Sequence, residues 1–295
     1  MSGRKIKEKG IEYLLSLAGI LAVLALLLLC IFLFRDGVML FEKYPIVSFL
    51  TETKWYPTAT PVHFGLLPLL LGSLIVTTGA IIFSVPLGIA AAIYISEIAT
   101  PRVAEVLKPT AEILAGIPSV VYGFFGLVVL VPYIQRALDL QTGQTALTGA
   151  IMLGIMALPT IISVSEDAIS SVPKSIKEGA LAMGSTQWQT IYKITVPAAL
   201  SGISAAVMLG IGRAIGETMT VMMVTGNSAV IPGFPSGLFE PVRTMTATIA
   251  LEMGEVPMGS DHYHALFAVG SVLFITTFIV NIIASYIKQR YRFHL

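Results

Sequence analysis

Charge is scarce in this chain. Asp, Glu, Lys and Arg make up 12% of its 295 residues, against roughly 25% in an ordinary soluble domain. That is too little polar side chain to cover a surface in water. With 55% hydrophobic residues and a mean hydropathy of +0.85, the chain reads as an integral membrane protein. Cysteine is nearly absent, and Cys30 alone excludes an intrachain disulfide. No G-x-x-x-x-G-K-[ST] loop occurs, so the chain has no phosphate-cradling segment with which to hydrolyse a nucleotide. No nucleophile–base constellation stands out either, and no enzyme activity, resident cofactor or nucleic-acid partner is expected. The "DHYH" of residues 261–264 has ligand-type side chains but spacing unsuited to a shared metal, so no metal site is expected.

What is present is a set of long apolar runs. Residues 13–34 carry no charge and exceed the ~20 residues that cross a bilayer as a helix. The run is longer than the core of a signal peptide and no A-x-A-like site follows it, so it is expected to remain as a first span. Five further helices are expected at about 65–94, 109–133, 145–168, 198–225 and 264–287. Basic residues orient them. Twelve Lys and Arg fall on the side of the two tails and five on the other, which places both tails in the cytoplasm. The run 65–96 contains Pro68 and Pro86. Cutting it in two would put the basic C-terminal tail outside, so it is read as one kinked helix. The fold class is therefore all-α, with six transmembrane helices. Residues 1–64 hold the tail, the first span and an outer loop, and residues 65–295 form a five-helix domain. In the second outer loop, residues 242–253 are apolar but too short to span; they are expected to lie on or dip into the outer face.

The cytoplasmic loop 171–197, "SVPKSIKEGALAMGSTQWQTIYKITVP", has more structure than a plain connection needs. "KSIKEGALAM" suits a short helix ended by Gly184. "STQWQTIYKI" suits a second, capped by Ser185 or Thr186, with Trp188, Ile191 and Ile194 along one side. Pro197 then opens the next span. The loop resembles the EAA signature of ABC importer permeases, E-A-A-x(3)-G-x(9)-I-x-L-P. Glu178, Ala180, Gly184, Ile194 and Pro197 match it, while Gly179 replaces the first alanine and Val196 the leucine. "LAGIPSVVYGFFG" (114–126), "ALPTIISVSEDAISSVP" (157–173) and "GRAIGETM" (212–219) extend the resemblance to permeases of the phosphate-specific ABC importer. "GETMTVMMVTGN" and "TATIALEMGE" resemble the PstC type.

That resemblance implies a MetI-like permease core and a multi-pass place in the plasma (inner) membrane. It implies coupling through Glu178, Gly179, Ala180, Gly184, Ile194 and Pro197 to two ATPase subunits of the PstB type, which would bind the ATP and Mg. It also implies a second permease of the PstA type, a PstS-type extracytoplasmic phosphate-binding protein, and phosphate as substrate.

Within the fifth expected span, Arg213 and Glu217 stand alone among apolar residues, four apart and so on one helix face. A central arginine costs at least ~2.5–3.5 kcal/mol to insert, so it should face protein or water and have a partner. The pair suits an anion path, the guanidinium fork gripping two oxygens and Glu217 moderating the grip. It also suits a neutralised structural pair, or a proton relay in an ion-coupled transporter. In the family, this pair belongs to the translocation path. Thr218 and Ser119 are the further path candidates, Ser119 beside a kink at Pro118. Gly212 and Gly216 form a G-x-x-x-G expected to meet a neighbouring or partner helix. Glu112, Glu166 and Asp167 cluster at inner helix ends, where they suit a contact with the ATPase, pairing with Lys174 and Lys177, or the more common solvated interfacial cluster.

Overall fold

The long apolar runs become helices because a bilayer leaves each backbone N–H and C=O no partner outside its own segment. The computed structural model describes residues 2–233 and 236–290; Arg292, counted in the basic C-terminal tail, lies outside them. The first helix, α1 (Ser2–Met39), exposes its apolar side chains from Ile11 to Phe32 and, among the described residues, meets the bundle near its outer end. There Phe32 and Phe34 pack edge-on against Phe267 and Phe274. The outer loop that follows contains α2 (Ile46–Thr51) and a two-residue antiparallel pair, β1 (Trp55–Tyr56) with β2 (His63–Phe64).

The second span is α3 (Leu67–Ile93), running through Pro86 and a π-turn at Tyr94–Ile98 as one 32-residue helix. Its buried stripe is Gly72, Val76, Ala80, Ser84, Gly88 and Ala92, four residues apart and mostly small. Small side chains at that spacing let two helices approach closely. α4 (Pro101–Ala115) is a mostly exposed amphipathic helix, and the chain breaks at Gly116–Pro118. α5 (Ser119–Phe125), a π-turn at Gly126–Leu130 and α6 (Val131–Ala137) then make one bulged span of 19 residues. The third span thus lies at 119–137, not 109–133. Residues 109–115 belong to α4, and Pro118, lacking an N–H, ends rather than bends the helix.

α7 (Ala146–Ser170), capped by the Thr145 hydroxyl accepting from the Thr148 N–H, is the most enclosed span. It lies along α3: a side chain on Gly88 would collide with Ile161, and one on Gly154 with Phe83. The cytoplasmic loop folds as α8 (Lys174–Ala182) and α9 (Gln187–Thr190), followed by a π-turn at Ile191–Thr195 and α10 (Val196–Ala198). A 68° bend separates this stretch from α11 (Leu200–Gly216). Pro197 therefore sits before the bend, and the span begins at Leu200. After a second break come α12 (Met219–Val224), α13 (Met245–Glu252) in the second outer loop, and the last span α14 (Asp261–Arg290), longer at both ends than the expected 264–287. α13 dips inward, with Met245 to Thr248 all buried. Six spans result when the bent pair is one crossing.

Ends of the chain meet in the outer core. Leu40, Phe49, Trp55, Phe64 and Leu69 pack with Met245, Ala265, Leu266 and Val269.

Candidate functional site

Two helix breaks face each other. α11 ends at Gly216, and Glu217 is extended (φ −69°, ψ 131°), so Glu217 leaves the helical face that carries Arg213. The expected four-residue pairing fails because the helix on which it depends has stopped. Glu217 instead caps α12: its Oε1 accepts from the Thr220 N–H at 3.2 Å, while its carbonyl accepts from the Thr246 hydroxyl of α13 at 2.9 Å. The other break, Gly116–Pro118, lies alongside. The Thr220 hydroxyl donates to the Ser119 carbonyl at 2.9 Å, joining α12 to the start of α5.

Arg213 reaches toward the same place. Its Nη1 donates to the Thr160 hydroxyl of α7 at 3.2 Å and its Nη2 to the Ala115 carbonyl at 3.5 Å. Both acceptors are neutral, and among the described residues no carboxylate lies within 4 Å of the guanidinium. A half-buried guanidinium held by neutral groups keeps its charge available to an anion, and its fork offers two parallel hydrogen bonds. Ser119, Glu217 and Thr218 are half-buried as well. The Thr218 hydroxyl bonds back to the Gly216 carbonyl at 3.3 Å. Thr160 and Ala115 escaped notice in the sequence because nothing local marks a threonine as an arginine's partner.

Gly212 and Gly216 lie on the open side of α11, with no atom of another element where a side chain would stand. Among the described residues, no helix of this chain packs against that side of the glycine pair. Leu209 on the same side is exposed, as are Val120, Val121, Phe124 and Phe125 of α5.

On the cytoplasmic face, Gly184 takes φ +86° and ends the first arm. Thr186 and Gln189 close a reciprocal capping box on the second. Ala180 and Ile191 are buried, whereas Glu178, Gly179, Met183 and Trp188 are exposed. Ile194 and Pro197 are half-buried. Trp188 and Ile191 thus do not sink as one stripe. Gly184→Ala is expected to strain that left-handed turn by ~1–2 kcal/mol. About a fivefold weaker association with a docking ATPase should follow, measured by titration in detergent.

The inner-end charges pair differently from expectation. Lys108 of α4 bridges Glu166 (2.5 Å) and Asp167 (2.7 Å) of α7, and Lys177 pairs with Glu97 at 2.5 Å. The hydrogen bond to Asp167, then that to Glu166, holds the Lys108 ammonium well above the usual lysine range.

On the opposite face, Glu252 gathers three donors: Arg243 Nη1 at 2.6 Å, His262 Nε2 at 2.8 Å and Trp55 Nε1 at 3.1 Å. These line a cavity of about 690 Å³. Asp261 pairs with Lys43, and His264 meets the Asp36 carbonyl. The residues of "DHYH" are thereby dispersed, and no cluster able to hold a metal occurs among the described residues.

Comparison with known proteins agrees with this architecture. Residues 84–293 match the family described as binding-protein-dependent transport system inner membrane component. The probable ABC transporter permease protein YqgH of Bacillus subtilis is 40% identical over 97% of this chain and 93% of its own length. The phosphate transport system permease protein PstC of Mesorhizobium japonicum is 37% identical over 82% of this chain and 78% of its own. A crystal structure of a bacterial ABC transporter involved in importing the acidic polysaccharide alginate aligns at a TM-score of 0.64 and 16% identity. That alignment covers 97% of this chain and 99% of the other, a likeness of fold. Six helical spans, an exposed helix–turn–helix on the inner face and a family match over most of the length lead to one conclusion: this chain belongs to the binding-protein-dependent transport system inner membrane components, as a multi-pass ABC permease subunit rather than an enzyme.

Proposed function

We propose that this permease forms half of the path of an ATP-driven importer of inorganic phosphate, and that Arg213 meets the anion on the way. The observation that carries the reading is the guanidinium held by Thr160 and Ala115 with no carboxylate of the described residues beside it. Phosphate transport is named for several relatives of this chain at 32–37% identity. An anion shedding water in a narrow path needs a charge that is present and oriented but not permanently neutralised. Glu217, one break away, is placed to bias the neighbourhood and speed release. Ser119 and Thr218 supply polar atoms at the two breaks.

The exposed faces of α5 and α11 suit a second, related permease of the PstA type, which would close the other half of the path. The exposed helix–turn–helix suits a PstB-type ATPase, one on each permease. ATP and Mg would be held there, since this chain has no P-loop of its own. A PstS-type binding protein would deliver phosphate to the outer face. ATPase closure then moves the docking loops and switches access from one side to the other.

The test is ATP-dependent uptake of labelled phosphate by the reconstituted complex, with sulfate and molybdate as competitors. Phosphate-selective uptake is expected. Uptake displaced by sulfate or molybdate at equal concentration would assign the same fold to another oxyanion, and uptake without the ATPase would abandon the ATP-driven reading.

A further inference from the structure

We infer that α3 is the lever carrying movement of the ATPase-docking loop to the break at Glu217, and that Glu97 is the positioning residue clamping the lever to that loop. The inference rests on the transport reading above.

At the inner end, both arms of the docking loop converge on Glu97. Lys177, on α8, places its Nζ 2.5 Å from Glu97 Oε1, with the side chains only 20% and 12% exposed. Gln187, which opens α9, donates its Nε2 to the Glu97 backbone carbonyl at 3.2 Å. A single residue of a transmembrane helix thus receives a side-chain tie from one arm and a backbone tie from the other. An ion pair so enclosed is costly to separate, because each partner left alone is an unpaired charge in poor solvent.

At the outer end, α3 touches the segment that reaches the other break. A side chain on Gly72 would overlap the Arg243 carbonyl oxygen, so the two backbones are in direct contact. One residue on, the Ser73 hydroxyl accepts from the Met245 N–H at 2.9 Å. Thr246, the next residue of α13, donates its hydroxyl to the Glu217 carbonyl at 2.9 Å. Between these ends the helix runs unbroken from Leu67 to Ile98, roughly 48 Å at 1.5 Å per residue. A continuous helix packed on one side moves as a body, so displacement at Glu97 arrives at residues 243–246 and hence at Glu217. The π-turn at Tyr94–Ile98 puts the clamp beyond the regular part of the helix, where the loop can hold its terminal turn.

The clamp predicts that ATPase closure without Glu97 moves the loop but not the break. The assay uses the full complex in proteoliposomes, carrying Gly216→Cys on a Cys30→Ser background. Its readout is the rate of labelling by a hydrophilic maleimide with and without vanadate trapping. Because no phosphate flux is measured, the result stands apart from the uptake test of substrate. With Glu97 intact, trapping should change the labelling rate about fivefold or more. Glu97→Gln should trap vanadate normally yet shift the rate less than about twofold, and the exchange Glu97→Lys with Lys177→Glu should restore the change. A Glu97→Gln complex that tracks the parent, an exchange that fails to restore the response in an assembled complex, or a parent whose labelling ignores trapping would each overturn the lever.

Discussion

Replacing Arg213 by glutamine is expected to cut phosphate uptake about a hundredfold in a complex that still assembles. Glutamine keeps an N–H donor for the Thr160 hydroxyl and much of the side chain's length. It loses the charge and the fork. Two charge-assisted hydrogen bonds to an oxyanion contribute ~1.5–3 kcal/mol each, which is where the hundredfold comes from. Arg213→Lys should fall between, since an ammonium keeps the charge but not the planar two-pronged geometry. The measurement is uptake per assembled complex, with assembly checked by co-purification of the partner subunits. Full uptake in the glutamine variant would give Arg213 a purely structural role. Failure to assemble would say that its bonds to Thr160 and Ala115 hold the bundle, and would remove the case for an anion contact drawn from them.

Replacing Glu252 by leucine should damage the outer platform more than any other single change at its surface. Glu252 accepts from Arg243, His262 and Trp55 while itself only 17% exposed. Leucine would strand the Arg243 guanidinium, at 22% exposure, together with the indole N–H. Leaving a largely enclosed charge and a donor unpaired costs about 3 kcal/mol. The expected outcome is a thermal midpoint several degrees lower in detergent, with a red shift of Trp55 emission. The only other tryptophan, Trp188, is 64% exposed and can be changed to phenylalanine to clear the background. An unchanged midpoint together with unchanged emission would show that solvent or neighbouring groups satisfy Arg243 without Glu252.

The number of the spans was legible because apolar length is a property of whole segments. So was the docking loop, whose glycine and capping residues act within a few positions of themselves. The breaks were not. Residues 109–115 carry enough apolar side chains to look like part of a span, yet they close an amphipathic helix whose Arg102, Glu105, Lys108 and Glu112 recur every three or four residues, and Pro118 ends the helix that continuity would extend. The same assumption of continuity paired Arg213 with Glu217. Whether a helix stops at Gly216 depends on what waits to receive the freed groups, here Thr246 and the start of α12, and Thr246 lies 29 residues away. Lys108 and Lys177 found partners 58 and 80 residues distant in the same manner, through packing that no local pattern announces.

The outer core also bears on how the protein is made. Its two halves, residues 40–69 and 245–269, lie at opposite ends of the chain. A ribosome delivers the first long before the second, so Trp55, Phe49 and Phe64 must wait on the far side of the membrane until the last span is threaded. Contacts between segments so far apart in sequence form late and leave apolar surface open in the meantime. A chain cut short before Asp261 would carry its early spans in the bilayer and its aromatic outer loop uncovered. Protease resistance of residues 40–66 therefore serves as a natural report that the start of the last span is in place.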